Sequence, residues 1–529
     1  MQANKTAYIL AIDLGTSGPK VGLVSVQGKV IDNEFEPTEL FLLPDGGAEQ
    51  DPLDWWRAIV QATRRLLTRY AELAKDIIAV ACTGQWSGTV AVGKDGKPLM
   101  NAVIWMDTRG APYAKKLTSR GITIGGYSPL RAMSWIRLTG GIPTGAGKDP
   151  ISHILYLKQN YPEIYKATHK FLEPIDYLGF LLTGNCAASY DSIALHWLTD
   201  NRDIYNVCYH PKLLAWAGIE REKLPELRGP VDLLGKLTSQ AARELGLSES
   251  VHVVMSAPDV HSAAVGSGAV GDYQPHLYIG TSSWMVFHMP EKKTDLFHNM
   301  ASLPASIPGK YLWIGEQESG GVCLTYFRDN VFFAEDELNT GEKPANAYAL
   351  FDRIVAGVQP GSQGVIFTPW LYGERAPVED HLVRGGFFNQ SLKTTRSHLL
   401  RAVYEGVAYN NRWLLVSMEK ILGKRLDDIR IVGGGAKSLV WCQIIADVLD
   451  RNVIQVENPI CANMLGAGLL ACVALGYLKV EEIPSRVEIA QTFKPNPANR
   501  KVYDEQFNEF VQVYHRLKPI YARLNEVEH

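Results

Sequence analysis

Two copies of the tripeptide Gly-Thr-Ser follow apolar, strand-like runs in this chain of 529 residues. The first copy follows the run at residues 8–12 after two intervening residues, and the second follows the run at residues 276–279. Small residues in a turn let backbone N–H groups and hydroxyls point at an anion with no Cβ in the way. One such turn is ordinary turn chemistry, but two copies after matching strands predict two turns that face one cleft and hold a polyphosphate. The two turns are Gly15-Thr16-Ser17 and Gly280-Thr281-Ser282.

Two aspartates follow predicted strands at positions suited to phosphoryl transfer. Asp13 ends the first strand, so its carboxylate is predicted to hold Mg²⁺ directly or through water; a turn-stabilising contact is the alternative. Asp259 follows the apolar strand at residues 251–255 and falls in the first turn of a helix. A helix-capping carboxylate contributes about 0.3–1 kcal/mol, but reacting groups gather at the carboxyl ends of strands in α/β sheets. We therefore predict that Asp259 takes or orients the proton of an attacking hydroxyl.

Three further glycine-containing segments have features of nucleotide-binding motifs. Residues 433–435 join a predicted strand to a helix and permit close approach of a flat ligand or phosphate, although a plain strand-to-helix turn is equally open. Residues 266–271 match G-x-G-x-x-G but follow a helical stretch, so a Rossmann dinucleotide site is rejected. Gly147 and Lys148 lack the spacing of a P-loop, and Asp149 stands where Ser or Thr is required, so a Walker ATPase is also rejected.

The elements around these residues predict an α/β architecture. Residues 8–12, 21–26 and 30–35 have the pattern of three antiparallel strands in a meander. Asp51 is predicted to cap a helix that starts at Pro52, and a buried strand follows that helix. Strands in a meander followed by helix-strand alternation are typical of a mixed sheet with helical layers.

The strand-turn-strand pattern recurs in the second half, at residues 276–279 and 284–288. This repetition indicates internal duplication, and the length of the chain exceeds what one hydrophobic core usually supports. We therefore predict two domains, at residues 1–255 and 256–529, with a cleft between them.

The composition excludes several classes of function. A hydrophobic fraction of 46% and a charged fraction of 21% indicate a folded globular protein. A net charge of -3 offers no basic surface for nucleic acid, so a small molecule is the predicted partner. The 7 cysteines are scattered without C-x-x-C spacing, which argues against a zinc site or a disulfide framework. Residues 1–6 lack the features of a secretion signal and the apolar stretch 464–475 is too short to span a bilayer, so a cytoplasmic location is predicted.

The order of motifs along almost the whole chain resembles the FGGY family of carbohydrate kinases, with xylulose and ribulose kinases as the nearest pattern. The motifs that carry this resemblance are Asp13 to Ser17 with Lys20, Glu49-Gln50-Asp51-Pro52, Trp105 with Asp107 and Arg109, Asp176-Tyr177, Asp259, Gly280-Thr281-Ser282, Gly373-Glu374-Arg375 and Glu405-Gly406. The resemblance implies two actin-like (ribonuclease H-like) ATPase domains with the catalytic cleft between them. It also implies ATP and Mg²⁺ as cofactors and a small sugar as the partner.

The resemblance assigns roles to individual residues. Asp259 would be the general base for the sugar hydroxyl, and Asp13 would organise the metal. The implied nucleotide contacts are Asp13, Thr16, Ser17, Lys20, Gly280, Thr281, Ser282, Gly320, Gly321, Gly434 and Gly435. The implied sugar contacts are Gln85, Trp86, Ser87, Arg109 and Asp259. The family closes its domains around both substrates, which would keep the γ-phosphoryl group from water.

The acceptor is less sharply indicated. Xylulose kinases of the family usually carry Gly-Gln-Met-His-Gly where this chain has Gly84-Gln85-Trp86-Ser87-Gly88, and glycerol kinases carry Arg-Glu there. Neither charge of the Arg-Glu pair is present here, so glycerol is disfavoured. A ketopentose such as xylulose or ribulose is therefore predicted, with another polyol or a deoxy-sugar as the alternative. Trp86 is expected either to stack on a sugar or to fill a core.

Several expectations concern neighbouring residues and the class of protein. His261 is expected to be a polar helix residue, and Glu374 and Arg375 to form a structural ion pair at the domain contact. A non-catalytic actin-like sensor of sugar or nucleotide is the competing class, against which the base at Asp259 argues. No nucleic acid or membrane partner is expected, and a homodimer is left open.

Overall fold

The computed structural model describes residues 7–119, 123, 126–338 and 343–525. Residues 1–6, on which the prediction about a secretion signal rests, lie outside this range. None of the helices among the described residues combines the length and the apolar character that crossing a bilayer requires.

Strands and helices alternate along the described chain as the sequence predicts for an α/β protein. The strands are Tyr8–Gly15 (β1), Gly18–Ser25 (β2), Val30–Phe35 (β3), Phe41–Leu42 (β4), Ala48–Gln50 (β5), Ile77–Gly84 (β6), Val90–Val92 (β7), Ala102–Val103 (β8), Lys170–Leu172 (β9), Ala187–Ser189 (β10), Thr199–Asp200 (β11), Cys208–Tyr209 (β12), Glu226–Arg228 (β13), Leu233–Lys236 (β14), His252–Val254 (β15), Ala257–Pro258 (β16), His276–Ile279 (β17), Ser283–Met289 (β18), Thr294–Asp295 (β19), Met300–Pro304 (β20), Tyr311–Gln317 (β21), Ile366–Thr368 (β22), Gly386–Phe388 (β23), Ile429–Val432 (β24), Val453–Val456 (β25) and Ile489–Phe493 (β26). The helices are Pro52–Arg69 (α1), Ala111–Thr118 (α2), Pro129–Thr139 (α3), Pro150–Asn160 (α4), Pro162–Ala167 (α5), Pro174–Thr183 (α6), Pro211–Ala217 (α7), Ser239–Leu245 (α8), Asp259–Gly266 (α9), Val322–Phe327 (α10), Ala347–Ala356 (α11), Arg396–Leu422 (α12), Leu439–Leu449 (α13), Ala462–Ala474 (α14) and Arg500–Asn525 (α15).

The N-terminal sheet has the strand order β14-β15-β6-β1-β2-β3, with β16 paired to β6. The predicted meander is confirmed, because β1 pairs antiparallel with β2, and β2 pairs antiparallel with β3. β1 also pairs parallel with β6, which places the carboxyl ends of these two strands at one edge of the sheet. Continuous burial of β1 explains why its residues 8–12 are uniformly apolar rather than alternating.

The C-terminal sheet has the strand order β19-β20-β21-β18-β17-β24-β25-β26. The second predicted hairpin is confirmed by the antiparallel pairing of β17 with β18. β17 also pairs parallel with β24, so the loops that follow these two strands emerge side by side.

Local chemistry starts helix α1 where the sequence predicts. The Asp51 side chain accepts a hydrogen bond from the Leu53 backbone N–H at 2.9 Å, and Pro52 occupies the first helical position. The buried face of α1 includes Trp55 and Ile59. The cap therefore sets the start of the helix, and the apolar stripe sets the face that packs on the sheet.

Helices α9 and α14 approach each other closely enough that glycine is required on both. A Cβ on Gly266 would lie 1.8 Å from the Ala462 carbonyl oxygen, and a Cβ on Gly466 would lie 1.8 Å from the Ser262 carbonyl oxygen. Because α9 begins with Asp259, this contact holds the predicted base in position.

Candidate active site

Asp13 and Asp259 lie at neighbouring strand ends of the N-terminal sheet. Asp13 on β1 is in register with Thr83 on β6, and Ala257 on β16 is in register with the same Thr83 from the other side. Asp259 follows β16 directly and begins α9, where its Oδ1 accepts a hydrogen bond from the Val260 backbone N–H at 2.8 Å. The two carboxylates thus border one edge of the sheet.

Burial and a neighbouring charge perturb the acidity of Asp259. The pKa of Asp259 is raised to about 7, first by burial and then by the Asp13 carboxylate, with a smaller contribution from Glu316. The backbone N–H of Val260 acts in the opposite direction. A carboxyl with a pKa near neutrality can both accept and release a proton at physiological pH.

Asp13 is buried near one cation and one neutral hydrogen-bond donor. Burial raises the pKa of Asp13, while the Lys20 cation and a hydrogen bond from the Asn463 side chain oppose this effect. Among the described residues, no group of three or more His, Cys, Asp and Glu side chains could form an all-protein metal cage. A single carboxylate two residues before the first Gly-Thr-Ser turn fits Mg²⁺, because this ion keeps its waters and binds through one or two carboxylates.

The first Gly-Thr-Ser turn is held by side chains from two other segments. Gln50 Nε2 donates a hydrogen bond to the Thr16 carbonyl oxygen at 2.8 Å, and Trp105 Nε1 donates one to the Thr16 hydroxyl at 3.0 Å. Ser17 is exposed and Lys20 is half-buried on β2. The turn is therefore fixed in shape while one hydroxyl stays open to solvent.

The second Gly-Thr-Ser turn packs against Gly320 and Gly321, two of the predicted nucleotide contacts. Gly320 N–H donates a hydrogen bond to the Thr281 carbonyl oxygen at 2.9 Å, and Gly321 N–H donates one to the Gly280 carbonyl oxygen at 2.7 Å. A Cβ on Gly320 would lie 2.5 Å from the Ser282 carbonyl oxygen, so the contact requires glycine.

The segment 433–435 joins this group because β24 is parallel to β17. Gly433 adopts a φ of +91°, and a Cβ on Gly435 would lie 2.6 Å from Ile279 Cγ2. Within the described chain, a Cβ on Gly434 would meet no atom within 4 Å, so this position faces open space. Glycines predicted from three separate segments thus line one edge of the C-terminal sheet.

The predicted sugar contacts at residues 85–87 follow β6 at the same edge as Asp13. Gln85 Nε2 donates to Gln50 Oε1 at 2.8 Å, while Gln85 Oε1 is buried with no hydrogen-bond partner among the described residues. Trp86 Nε1 donates to the Ser192 carbonyl oxygen at 2.7 Å. A buried acceptor without a partner is costly unless a ligand donates to it, so Gln85 is the member of this group that most needs a ligand.

Trp86 and His261 contact each other across the two halves of the sequence. Their ring centroids are 5.3 Å apart with an interplanar angle of 87°, and both side chains are buried. His261 Nδ1 accepts a hydrogen bond from the Ser306 backbone N–H at 3.2 Å, and burial lowers the pKa of His261 to about 3. His261 is therefore a neutral, buried helix residue that packs against Trp86.

Arg109 is engaged by carboxylates rather than free to reach a ligand. Its Nη2 lies 2.7 Å from Glu49 Oε1 and 2.6 Å from Asp107 Oδ2, and its guanidinium stacks over the Tyr156 ring. Contact of Arg109 with a sugar stays a prediction. The observed partners give it a role in holding the segment around Glu49 and its neighbour Gln50.

Glu374 and Arg375 do not form the expected ion pair with each other. Arg375 Nη1 lies 2.5 Å from Glu316 Oε2, and Arg375 Nε lies 2.6 Å from Glu318 Oε1. Glu374 instead accepts hydrogen bonds from Asn410 Nδ2 and from the backbone N–H groups of residues 318 and 375. Adjacent side chains on an extended segment point in different directions, which explains why sequence neighbours do not pair.

Residues outside the predicted set also border the site. Glu316, on β21, acts on the pKa of Asp259, and the Asn463 side chain bonds to Asp13. Lys148 is tied to the sugar-side segment, because its carbonyl oxygen accepts a hydrogen bond from the Ser87 hydroxyl at 2.8 Å. The Gly-Lys pair attracts attention in the sequence only as an incomplete P-loop, and no local pattern marks Glu316 or Asn463.

Family models match both halves of the chain. The model described as the N-terminal domain of the FGGY family of carbohydrate kinases matches residues 8–266, and the model of the C-terminal domain of that family matches residues 277–475. A xylulose kinase from Staphylococcus epidermidis is 27% identical over 527 residues, which cover 98% of each chain. A xylulose kinase from Bacillus subtilis is 29% identical over 528 residues, and a gluconokinase from the same organism is 25% identical over 525 residues. These cover 98% and 99% of this chain, and 98% and 96% of the relatives.

Solved structures show the same fold. A gluconate kinase from Lactobacillus acidophilus superposes with a TM-score of 0.86 at 23% identity and covers 98% of this chain and 100% of its own. A ligand-bound xylulose kinase from the same organism superposes with a TM-score of 0.84 at 23% identity, with the same coverage. The predicted two-domain α/β fold is therefore confirmed.

Proposed function

The chain belongs to the FGGY family of carbohydrate kinases, and we propose that it transfers the γ-phosphoryl group of ATP to a hydroxyl of a ketopentose, with xylulose as the first candidate and ribulose as the second. The observation that carries the proposal is that Asp13 and Asp259 lie near each other at one edge of the N-terminal sheet, where the pKa of Asp259 is raised to about 7. Xylulose kinases among the relatives, matched over 98% of both chains, support the choice of sugar.

Asp259 is the proposed general base. Its carboxylate accepts the proton of the sugar hydroxyl, whose oxygen bonds to the γ-phosphorus as the bond from that phosphorus to the β–γ bridging oxygen breaks. ADP leaves with the electrons of the broken bond. Because phosphoryl transfer relies on positioning, the rigid start of α9 matters as much as the basicity of the carboxylate.

The proposed nucleotide site is formed by the two Gly-Thr-Ser turns and the glycines beside them. Thr16, Ser17, Thr281 and Ser282 would bind phosphate oxygens, and Gly434 leaves room for the nucleotide. Asp13 would hold Mg²⁺, which supplies charge neutralisation at the phosphates when bound. Lys20 places a further positive charge next to Asp13, as its effect on the pKa of that carboxyl indicates.

The proposed acceptor site is formed by residues 85–87. The unpaired Oε1 of Gln85 would accept a hydrogen bond from a sugar hydroxyl. Arg109 is proposed to act through Glu49 and the neighbouring Gln50, which donates to the turn at Thr16. Trp86 would form a wall of the site, since its indole nitrogen is already bonded to the Ser192 carbonyl oxygen.

Several finer assignments belong to the proposal. We propose domain limits at residues 1–255 and 256–529. We also propose a cytoplasmic location and a homodimer. Gluconokinases among the relatives make a sugar acid the next candidate class after the ketopentoses, ahead of other polyols and deoxy-sugars.

A coupled assay of ADP release with a panel of acceptors tests the proposal. The panel contains both enantiomers of xylulose and ribulose, glycerol, a deoxy-sugar and gluconate, and the product is identified by mass spectrometry and NMR. We expect a ketopentose to stimulate ADP release most strongly. If ATP binds but no ketopentose stimulates release, the proposed acceptor is wrong, and silence across the whole panel would favour a sensor that binds without turnover.

A further inference from the structure

The loop at residues 85–88, called the sugar loop below, contains the proposed sugar contacts and one residue in an unfavourable backbone conformation. Ser87 adopts a φ of +66°, in the left-handed region that residues with a Cβ rarely occupy. For a single residue the steric cost of this region corresponds to a factor of about 5 to 30 in an equilibrium constant. The sugar loop therefore needs contacts from other segments to keep its shape.

Glu173 supplies such a contact from the residue that precedes α6. Its Oε2 accepts a hydrogen bond from the Gly88 backbone N–H at 2.9 Å, and both residues are buried. A Cβ on Gly88 would lie 2.5 Å from Pro174 Cγ, so the sugar loop packs directly against the first turn of the helix. The carboxyl group of Glu173 thus holds the residue next to Ser87.

Other contacts in the described part of the chain do not account for the Glu173 carboxyl group. Glu173 occupies the capping position of α6, but its side chain makes no capping hydrogen bond. Its Oε1 has no hydrogen-bond partner among the described residues, and His196 Nδ1 lies 3.7 Å away, beyond hydrogen-bond distance. Burial lowers the pKa of His196 to about 3, so this ring carries no counter-charge at neutral pH.

A carboxyl group is a costly choice at this buried position. Burial raises the pKa of Glu173, while the backbone N–H groups of Gly88 and Ser87 act in the opposite direction. A buried polar group is unfavourable unless hydrogen bonds replace those it made to water, and an apolar side chain would cost less to bury here. The hydrogen bond to the sugar loop is therefore the contact that explains a glutamate at this position.

The first turn of α6 also holds the sugar loop by a second path. Trp86 Nε1 donates to the Ser192 carbonyl oxygen at 2.7 Å, and the Ser192 hydroxyl donates to Asp176 Oδ2 at 2.8 Å. Asp176 lies in the first turn of α6, three residues after Glu173. Two hydrogen-bonded paths therefore connect the start of α6 to adjacent parts of the sugar loop.

We propose that Glu173 is a positioning residue for the sugar: its carboxyl group holds Gly88, so that Ser87 keeps its left-handed conformation and the Gln85 side chain stays in place for a sugar hydroxyl. This inference rests on the proposed kinase function. Glu173 acts through the sugar loop and takes no part in the transfer of the phosphoryl group.

Kinetics in which xylulose and ATP are varied separately test the positioning role. Glu173→Leu leaves the buried Gly88 N–H without a hydrogen-bond acceptor, so kcat/KM for xylulose is expected to fall roughly 5- to 100-fold. Glu173→Gln keeps an oxygen that accepts this hydrogen bond and is expected to retain most of the activity. Glu163→Leu, at an exposed glutamate of α5, is the matched control and is expected to retain all of it.

The expected loss is specific to the sugar. KM for ATP is expected to stay near the wild-type value in Glu173→Leu, because Gln50 and Trp105 hold the turn at Thr16 without Gly88. An equal loss for xylulose and ATP would overturn the proposal, since Glu173 would then support the fold as a whole.

A second substitution in the Glu173→Leu background tests the link to the conformation of Ser87. Glycine occupies the left-handed region without steric cost, so Ser87→Gly is expected to recover part of the lost kcat/KM for xylulose. Ser87→Ala removes the same hydroxyl but keeps the Cβ, and it is expected to recover none. Equal effects of the two substitutions would contradict the proposed link.

Amide hydrogen exchange of residues 85–90, measured by mass spectrometry on the full chain, separates this inference from the proposed function. Faster exchange of this segment in Glu173→Leu than in the wild type and Glu163→Leu supports the positioning role even if no sugar is phosphorylated. Turnover of xylulose by the wild type, with unchanged exchange and unchanged KM for xylulose in Glu173→Leu, overturns the positioning role and leaves the kinase proposal intact.

Gly88→Ala keeps the test available if Glu173→Leu does not fold. The added Cβ would press on Pro174 and move the sugar loop away from Glu173, which stays in place. Exchange of residues 85–90 and KM for xylulose are both expected to increase in this variant. Wild-type values for both would overturn the proposal.

Discussion

The carboxylate of Asp13 raises the pKa of Asp259, and the two residues belong to strands or strand ends that flank the same residue of β6. Two like charges held this close do not titrate independently, so the acid-base behaviour of the site belongs to the pair. Three of the predictions below follow from this relationship.

Replacement of Asp259 by Asn removes the proposed base while preserving shape. Turnover with the best acceptor is expected to fall about 10²- to 10⁴-fold, whereas ATP affinity stays close to that of the wild type. ADP release and equilibrium nucleotide binding measure the two quantities. Asp203→Asn, at an exposed carboxylate, serves as the control. Near-normal turnover in Asp259→Asn would remove this residue from the role of base.

The pH dependence of kcat/KM is expected to report the raised pKa of Asp259. Only the ionised carboxylate accepts a proton, so kcat/KM is expected to rise with pH up to a midpoint near about 7 and to level off above it. Initial rates at fixed free Mg²⁺ from about pH 5.5 to pH 8.5 measure the profile. A flat profile over this range would contradict the assignment.

The same raised pKa predicts that Asp259 destabilises the folded chain at alkaline pH. In the folded chain the pKa of Asp259 is about 7, above its ordinary value of 3.8, so the folded chain binds the proton more tightly than the unfolded chain does. Stability from this group is complete below the lower pKa and is lost as pH rises through the higher one. Asp259→Asn is therefore expected to raise the free energy of unfolding by roughly 1–3 kcal/mol at about pH 8.

Urea titrations at about pH 5 and pH 8 check this sign. The gain from Asp259→Asn is expected to shrink at the lower pH, where the wild-type carboxyl is largely protonated in the folded chain. A variant that is less stable than the wild type at about pH 8 would show that the carboxylate is stabilised by contacts rather than strained.

Gly434→Ala separates nucleotide binding from folding. A Cβ at this position meets no described atom within 4 Å, so stability is expected to stay unchanged. If the added methyl group meets ATP, KM for ATP should rise roughly tenfold, as for other overpacked contacts. Gly357→Ala is the control, because the added Cβ would lie at an ordinary contact distance of 3.5 Å from the Ile354 carbonyl oxygen. An unchanged KM for ATP would place the nucleotide elsewhere.

Gly466→Ala tests the close contact of α9 and α14. The added Cβ would lie 1.8 Å from the Ser262 carbonyl oxygen, and the helices must separate to admit it. We expect a loss of stability of about 1–3 kcal/mol or more, and lower turnover because α9 carries Asp259. Thermal unfolding and ADP release measure both effects. Gly271→Ala is the control, because the added Cβ would lie 3.4 Å from Gln274 Oε1; it should change neither stability nor turnover.

Local sequence chemistry accounts for much of the fold. The antiparallel meander, the cap of α1 at Asp51, the second hairpin and the start of α9 at Asp259 all follow from apolar runs, turn residues and caps that act over a few residues. The expected pairing of Glu374 with Arg375 failed because ion pairs are selected by position in space rather than by adjacency along the chain.

By itself, the sequence determined the α/β architecture, the family and the identity of the carboxylates at the strand ends, because these depend on short-range patterns and ordered motifs. Only the tertiary structure decided that Arg109 is engaged by Glu49 and Asp107, that Asp13 raises the pKa of Asp259, and that the Ser87 hydroxyl donates to the Lys148 carbonyl oxygen. The physical reason is that charge interactions and burial depend on distance in space, and these groups come together only when segments far apart in the chain pack against each other.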